Sequence, residues 1–185
     1  MRRGSINTAL APASLVLGAA ALALALSLSL LRSDDSAQAV EFGRISATVI
    51  PPDGPRRDLC LLHAETPRQI QRGLMGVTDR ALGGCDGMAF TFSADTTGPF
   101  WMRNTPLPLS IAYFDAKGRL VSTADMKPCG DHPRCPLYPP AREYRLAVEA
   151  PRGQLPGLGI VPGARLVLGE RGCDPGPRLT RTAGA

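Results

Sequence analysis

The period of apolar and polar positions changes several times along the chain, and each change marks an element. Residues 10–31 are nearly all apolar or small, chiefly Leu and Ala. Residues 42–50 then alternate, with Ile45, Ala47 and Val49 on one face, which is the two-residue period of a strand. Pro51-Pro52-Asp53-Gly54-Pro55 forces a turn. Residues 58–64 are largely apolar on both faces, which predicts a strand in a central position. Thr66-Pro67 opens a helix, with Thr as N-cap and Pro at the first helical position. The helix is predicted to run through Leu74, with Gly73 or Gly76 able to end it.

Gly83-Gly84 turns the chain into 85–92, where Met88, Phe90 and Phe92 alternate as on a half-buried strand. Residues 93–99 read as a polar loop. Residues 108–114 and 120–124 form a hairpin candidate, its Asp115-Ala116-Lys117-Gly118 turn placing Gly where positive φ is wanted. Residues 126–140 hold five prolines and no period, so they predict an ordered loop or an extended wrap. Tyr144, Leu146 and Val148 alternate within a strand over 143–149. A short helix over 154–158 and a last strand over 164–168 follow. About seven short strands and one or two short helices make the class mainly β to α+β. A compact, antiparallel, barrel-like domain is expected, since closure removes exposed strand edges.

The apolar start has Arg2 and Arg3 before it and Ala37-Gln38-Ala39 after it, the basic, apolar and small-residue parts of a secretory signal peptide cut after Ala39. A retained membrane anchor is the rival reading, because the stretch is about as long as the roughly 20 residues that span a bilayer. Both place the remainder outside the cytoplasm, secreted or held at the cell envelope. The plan is then 1–39 signal peptide or anchor, 40–57 strand and linker, 58–168 the domain, and 169–185 a mobile Gly-, Pro- and Arg-rich tail. Five cysteines in an oxidising compartment leave at least one thiol unpaired or bridged to another chain. Cys129 and Cys135 flank a short, turn-prone Gly-Asp-His-Pro-Arg loop and are the expected disulfide; Cys60, Cys85 and Cys173 cannot be paired from sequence. The net charge of +5 is scattered, without the clustered stripe a nucleic-acid surface needs. Membrane contact is expected only through the N-terminal segment, if it is retained.

Gly73-Leu74-Met75, Asp86-Gly87-Met88-Ala89-Phe90 and Phe100-Trp101-Met102-Arg103-Asn104-Thr105 follow one another in an order and spacing that resembles the DUF192 family (also called UPF0127). Cys135-Pro136-Leu137-Tyr138, the late Val148-Glu149 and Gly159-Ile160-Val161-Pro162-Gly163 fit as well, so the likeness covers about residues 58–168. The resemblance implies a small, β-rich, often exported domain. It carries no established activity, catalytic residue or cofactor. Cys85 departs from it, since a bulkier residue is usual before the DGM segment.

Three chemistries compete for the polar residues. Paired carboxylates, Asp86 and Glu149, would suit an extracellular hydrolase if a cleft brought them together. Cys129, His132 and Cys135 with the thioethers of Met75, Met88, Met102 and Met126 could hold copper or zinc. Disulfide formation and core packing are the plainer uses of those groups, so neither a metal nor a cofactor is assigned. His63 reads as a buried, hydrogen-bonded strand histidine. There is no G-x-S-x-G elbow and no C-x-x-C pair. Binding is the third chemistry. Trp101 offers a flat apolar face, Arg103 can clamp a carboxylate or phosphate, and Asn104 and Thr105 add donors and acceptors. A small polar or anionic ligand, or a cell-surface component, is expected at Trp101, Arg103, Asn104 and Thr105, with Asp86, Met75 and Met88 as walls. A surface for docking another protein is the further alternative. The N-terminal reading is checked by intact mass: protein recovered from the cell envelope or medium begins at Val40, whereas a mass that includes residues 1–39 identifies an anchor.

Overall fold

The computed structural model describes residues 40–175. The signal-peptide expectation and the end of the tail fall outside the described residues. The strands are β1 (Gly43–Ile50), β2 (Arg57–Ala64), β3 (Gly87–Thr96), β4 (Phe100–Trp101), β5 (Leu109–Phe114), β6 (Leu120–Met126), β7 (Leu137–Tyr138), β8 (Tyr144–Pro151) and β9 (Arg165–Arg171). One α-helix, α1 (Pro67–Arg72), follows β2, and short 3-10 turns lie at Leu82–Gly84 and Leu155–Leu158. Thr66 caps α1 as the sequence predicts: its hydroxyl accepts from the Gln69 amide, and Gln69 Oε1 accepts from the Thr66 amide. The helix ends at Arg72, two residues before the predicted Leu74, because Gly73 takes a positive φ of 43°. Among the described residues no helix is long and apolar enough to cross a membrane.

Seven strands make one curled half-barrel sheet in the order β6-β5-β8-β3-β2-β1-β9. The pairings are antiparallel except β2 with β3. That parallel pair is a local departure from the antiparallel pairing expected of the domain. Its cause is the connection through α1 and the first 3-10 turn, a crossover long enough to return the chain to the same end of the sheet. The strand expected over 164–168 runs on to Arg171, paired with β1. The predicted polar loop over 93–99 is largely the end of β3, and β4 pairs with β7 in a separate two-stranded ribbon. The two sheet edges approach each other at one end, where the Leu120 amide donates to Ala164 O (3.0 Å) and the Leu166 amide to Gly118 O (2.8 Å).

Both faces of the central strands are buried, as their sequences require. Ala112, Phe114, Leu146, Val148 and Ala150 pack on one face with Ile45, Val49 and Leu166. Met88, Phe90, Ile111 and Tyr113 pack on the other with Met102, Met126 and Tyr144. All six residues of β5 are buried. Each large apolar side chain so enclosed contributes about 1.5–3 kcal/mol relative to exposure. Cys129 and Cys135 are bonded, as expected from their spacing. Cys60 and Cys173 form a second disulfide across 113 residues, tying the chain after β9 to β2. On the loop-closure estimate a bond of that span contributes about 4–5 kcal/mol. Cys85 is buried and belongs to neither bond.

Gly118 limits the closure of the curl. It has φ +72°, and a Cβ there would lie 2.1 Å from Leu166 O. Gly153 has a similar φ, +79°, with nothing near its absent side chain. Urea denaturation is expected to show Gly118→Ala losing at least about 2 kcal/mol, and clearly more than Gly153→Ala, which bears only the conformational term.

Candidate functional site

The Phe100–Thr105 segment is built into the fold residue by residue. Phe100 stands edge-on to Phe90 (centroids 4.9 Å) and to Tyr113 (5.9 Å), so its partly buried ring packs against the core. Met102 is fully buried. Asn104 takes φ +54°, a left-handed conformation that asparagine tolerates better than most residues. Its carbonyl accepts from the Gly76 amide (2.7 Å) and its amide donates to Gly130 O (3.2 Å), which joins the segment after α1 to the disulfide loop. Arg103 donates from Nε to Asp131 Oδ1 (2.7 Å), so the same loop engages the guanidinium. Thr105 is buried, and its hydroxyl donates to Arg103 O. Trp101 alone in the segment presents a large apolar ring to solvent, at 42% exposure.

A cavity of about 220 Å³ opens beside this segment. Phe90, Phe92, Phe100, Trp101 and Tyr144 line it, with Ile70, Leu74 and Met75 from α1 and the turn after it. It lies at an irregularity of the sheet: the β3–β8 register shifts between Thr91 and Thr96, and Phe92, Thr96 and Tyr144 around that shift line the cavity. The rings hold one another edge to face, Phe92 with Tyr144 at 5.3 Å and Tyr144 with Tyr113 at 4.8 Å. Tyr144 donates to Gly98 O (2.8 Å) and Tyr113 to Tyr138 O (2.5 Å). Burial pushes both phenols above the usual tyrosine range, so they stay neutral. These walls are fixed before anything enters.

Glu149 gives the cavity its chemistry. It sits on β8 between Met88 of β3 and Ile111 of β5 in register, is only 4% exposed, and lines the cavity. No donor or cation among the described residues reaches its carboxyl group. Every fully sealed side-chain N or O among the described residues has a hydrogen-bond partner, so the unpartnered carboxyl meets the space of the cavity. Burial pushes its pKa from 4.5 up to about 8. Gly87 brings β3 against this point: a Cβ there would lie 2.3 Å from Glu149 O, which gives the DGM glycine its packing reason.

The residues singled out from sequence divide between two places. Trp101, Met75 and Thr105 line the aromatic cavity. Trp101 and Met75 also line an adjoining groove with Arg103, Asn104, Arg68 and Arg72. Asp86 and Met88 line neither. Asp86 Oδ2 accepts from the Cys60 amide (2.9 Å), and Met88 is fully buried in the core. Asp86 and Glu149 are thus not assembled as a pair in the cavity, which holds a single carboxyl. The cysteines of the suggested metal set are bonded to each other, and His132 Nδ1 accepts from the Arg134 amide. Among the described residues no three His, Cys, Asp or Glu side chains gather as a metal site. His63 is buried on β2, its Nε2 3.0 Å from Thr91 Oγ1, and burial lowers its pKa. Sequence reasoning passed over the walls, Phe90, Phe92, Phe100 and Tyr144. It considered Glu149 only as half of a pair. The available signal was an acid flanked on both sides by apolar residues, Ala147 and Val148 before it and Ala150 and Pro151 after it.

A curled β-sheet with an aromatic cavity against one face defines the class. The chain belongs to the DUF192 family, described as "Uncharacterized ACR, COG1430", whose model matches residues 49–168. Among solved structures it is similar to a "putative transcription regulator" from Sinorhizobium meliloti 1021, at 25% identity and a TM-score of 0.60, over 70% of this chain and 96% of that one. It is also similar to a protein of unknown function from Novosphingobium aromaticivorans DSM 12444, at 26% identity and a TM-score of 0.58, over 73% and 98%. Comparison with curated proteins found no match.

The elevated Glu149 pKa has a stability consequence with a definite sign. Between the unfolded value near 4.5 and the folded value of about 8, the folded state holds a proton that the unfolded state releases. The stability tied to this group is therefore fully present below about pH 4.5 and declines as pH rises to about 8, levelling off above. Urea titrations across that window are expected to show Glu149→Gln gaining on the parent protein by a few kcal/mol toward the alkaline end. A constant difference between the two proteins would show that the carboxyl is not desolvated.

Proposed function

We propose that this is an exported binding domain that takes a small organic molecule into the aromatic cavity beside Trp101. One observation carries the reading: a buried carboxyl without a protein partner lines a preformed, apolar cavity. Leaving such a group unsatisfied costs on the order of 1–3 kcal/mol, a cost that a ligand's hydrogen-bonding head would offset. Mostly apolar walls with one or two convergent polar groups are the usual make-up of small-molecule sites. The T-shaped ring packing supports a site whose shape precedes its ligand, which lowers the entropy lost on binding. Two disulfides and the signal-like N-terminal stretch support export.

The adjoining groove supports a second reading. Arg68, Arg72 and Arg103 line it together with Asn104 and Trp101. Three guanidinium groups around one groove favour an anionic ligand or an anionic group of the cell surface. Asp131 already engages Arg103, so this site is less prepared than the cavity.

Trp101 is the only tryptophan, which gives the site a built-in reporter. In an NMR screen of small fragments, binders are expected to shift the Trp101 indole N–H together with signals of Phe90, Phe92 and Tyr144. Shifts confined to Arg68, Arg103 and Asn104 would move the site to the groove. Binders that leave both regions unmoved would contradict the proposal.

A further inference from the structure

Building on the cavity as the ligand site, we infer that its ligand class is an organic ammonium ion, whose positive head pairs with Glu149 among the aromatic rings. The cavity has one acidic group at its buried end and ring-bearing side chains on its walls. Phe90, Phe92, Phe100, Trp101 and Tyr144 line it, and cations are drawn to the faces of such rings most strongly where water is excluded. A carboxylate among aromatic rings therefore favours a cation twice, through charge and through quadrupoles. An anion would meet repulsion from both.

The competing neutral reading is a protonated Glu149 donating to a ligand carbonyl. The surroundings of the group argue for the cation. Tyr113 and Tyr144 have already given their hydroxyl hydrogens to Tyr138 O and Gly98 O, so neither is left to hold the carboxylate in a ligand's place. On β8 itself, Arg145 is committed to Asp95. Arg72 is the remaining charged residue lining the cavity, and it is exposed, whereas Glu149 is buried. The buried end thus lacks a positive charge of its own, and an incoming ammonium supplies it. Ionising Glu149 for this purpose is inexpensive, since at pH 7 its folded-state pKa of about 8 corresponds to only about a tenfold bias toward the protonated form.

The test is a matched series of small probes that differ only in charge: benzylammonium, benzyl alcohol and benzoate, titrated against Trp101 fluorescence of the purified protein. Benzylammonium is expected to bind about tenfold or more tighter than benzyl alcohol, with benzoate weakest. Glu149→Gln is expected to weaken benzylammonium by about tenfold or more relative to benzyl alcohol and so to lose the preference for the cation. Phe92→Leu, which keeps bulk and removes one ring, is expected to weaken benzylammonium more than benzyl alcohol. Benzyl alcohol or benzoate binding as tightly as the cation would overturn the inference while leaving the cavity a ligand site. A cation preference that survives both substitutions would overturn it as well. Silence from all three probes would count against the cavity reading itself.

Discussion

A carboxyl group withdrawn from water needs a proton, a counter-charge or a set of donors, and the arrangement around Glu149 supplies neither of the last two. The strand that carries it is held between β3 and β5 and cannot swing the side chain outward. Met88 and Ile111 flank it in register, and Gly87 closes on its backbone where no side chain would fit. The sheet therefore forces the acid against the aromatic cavity. Gly87 of the DGM segment and the Val148-Glu149 segment of β8 are two halves of that one contact. The cavity's one carboxyl follows from it; apolar walls alone would describe only a packing defect.

The Phe100–Thr105 block carries structural interactions as well as polar groups. Met102 is core, Phe100 packs against the core, Asn104 provides a left-handed turn, and Arg103 binds the disulfide loop. These interactions brace three segments at the entrance: the turn after α1, the Cys129–Cys135 loop and the block itself. Trp101 is what remains facing outward. The short β4–β7 pair, Phe100 with Tyr138 and Trp101 with Leu137, extends the same bracing. The motif therefore lines one part of the cavity, and the carboxyl together with Phe90, Phe92 and Tyr144 comes from residues far away in sequence.

Much of the fold was legible in the sequence because its strands are bounded by proline and glycine turns and several of them keep a two-residue period. The helix cap, the β5–β6 hairpin and the Cys129–Cys135 bond all rest on contacts between near neighbours. What was not legible depends on pairing across distance. The parallel β2–β3 register, the Cys60–Cys173 bond and the joining of the two sheet edges at Gly118 have no local signature. The site divides along the same line. Trp101, Met75 and Thr105 reached it through a local motif, while Phe92, Tyr144 and Glu149 meet only when β3 and β8 are side by side. Alternation alone cannot say whether an acid on a buried strand meets a cation, a cavity or the far end of a bulge.

The protonation of one side chain tests this account most directly. In the ligand-free protein, a ¹³C NMR titration of the glutamate carboxyl carbons, with Glu149 assigned by its substitution to Gln, is expected to show that carbon titrating near pH 8. A midpoint at the ordinary glutamate value, about 4.3, would show a solvated or partnered carboxylate and would contradict the central claim.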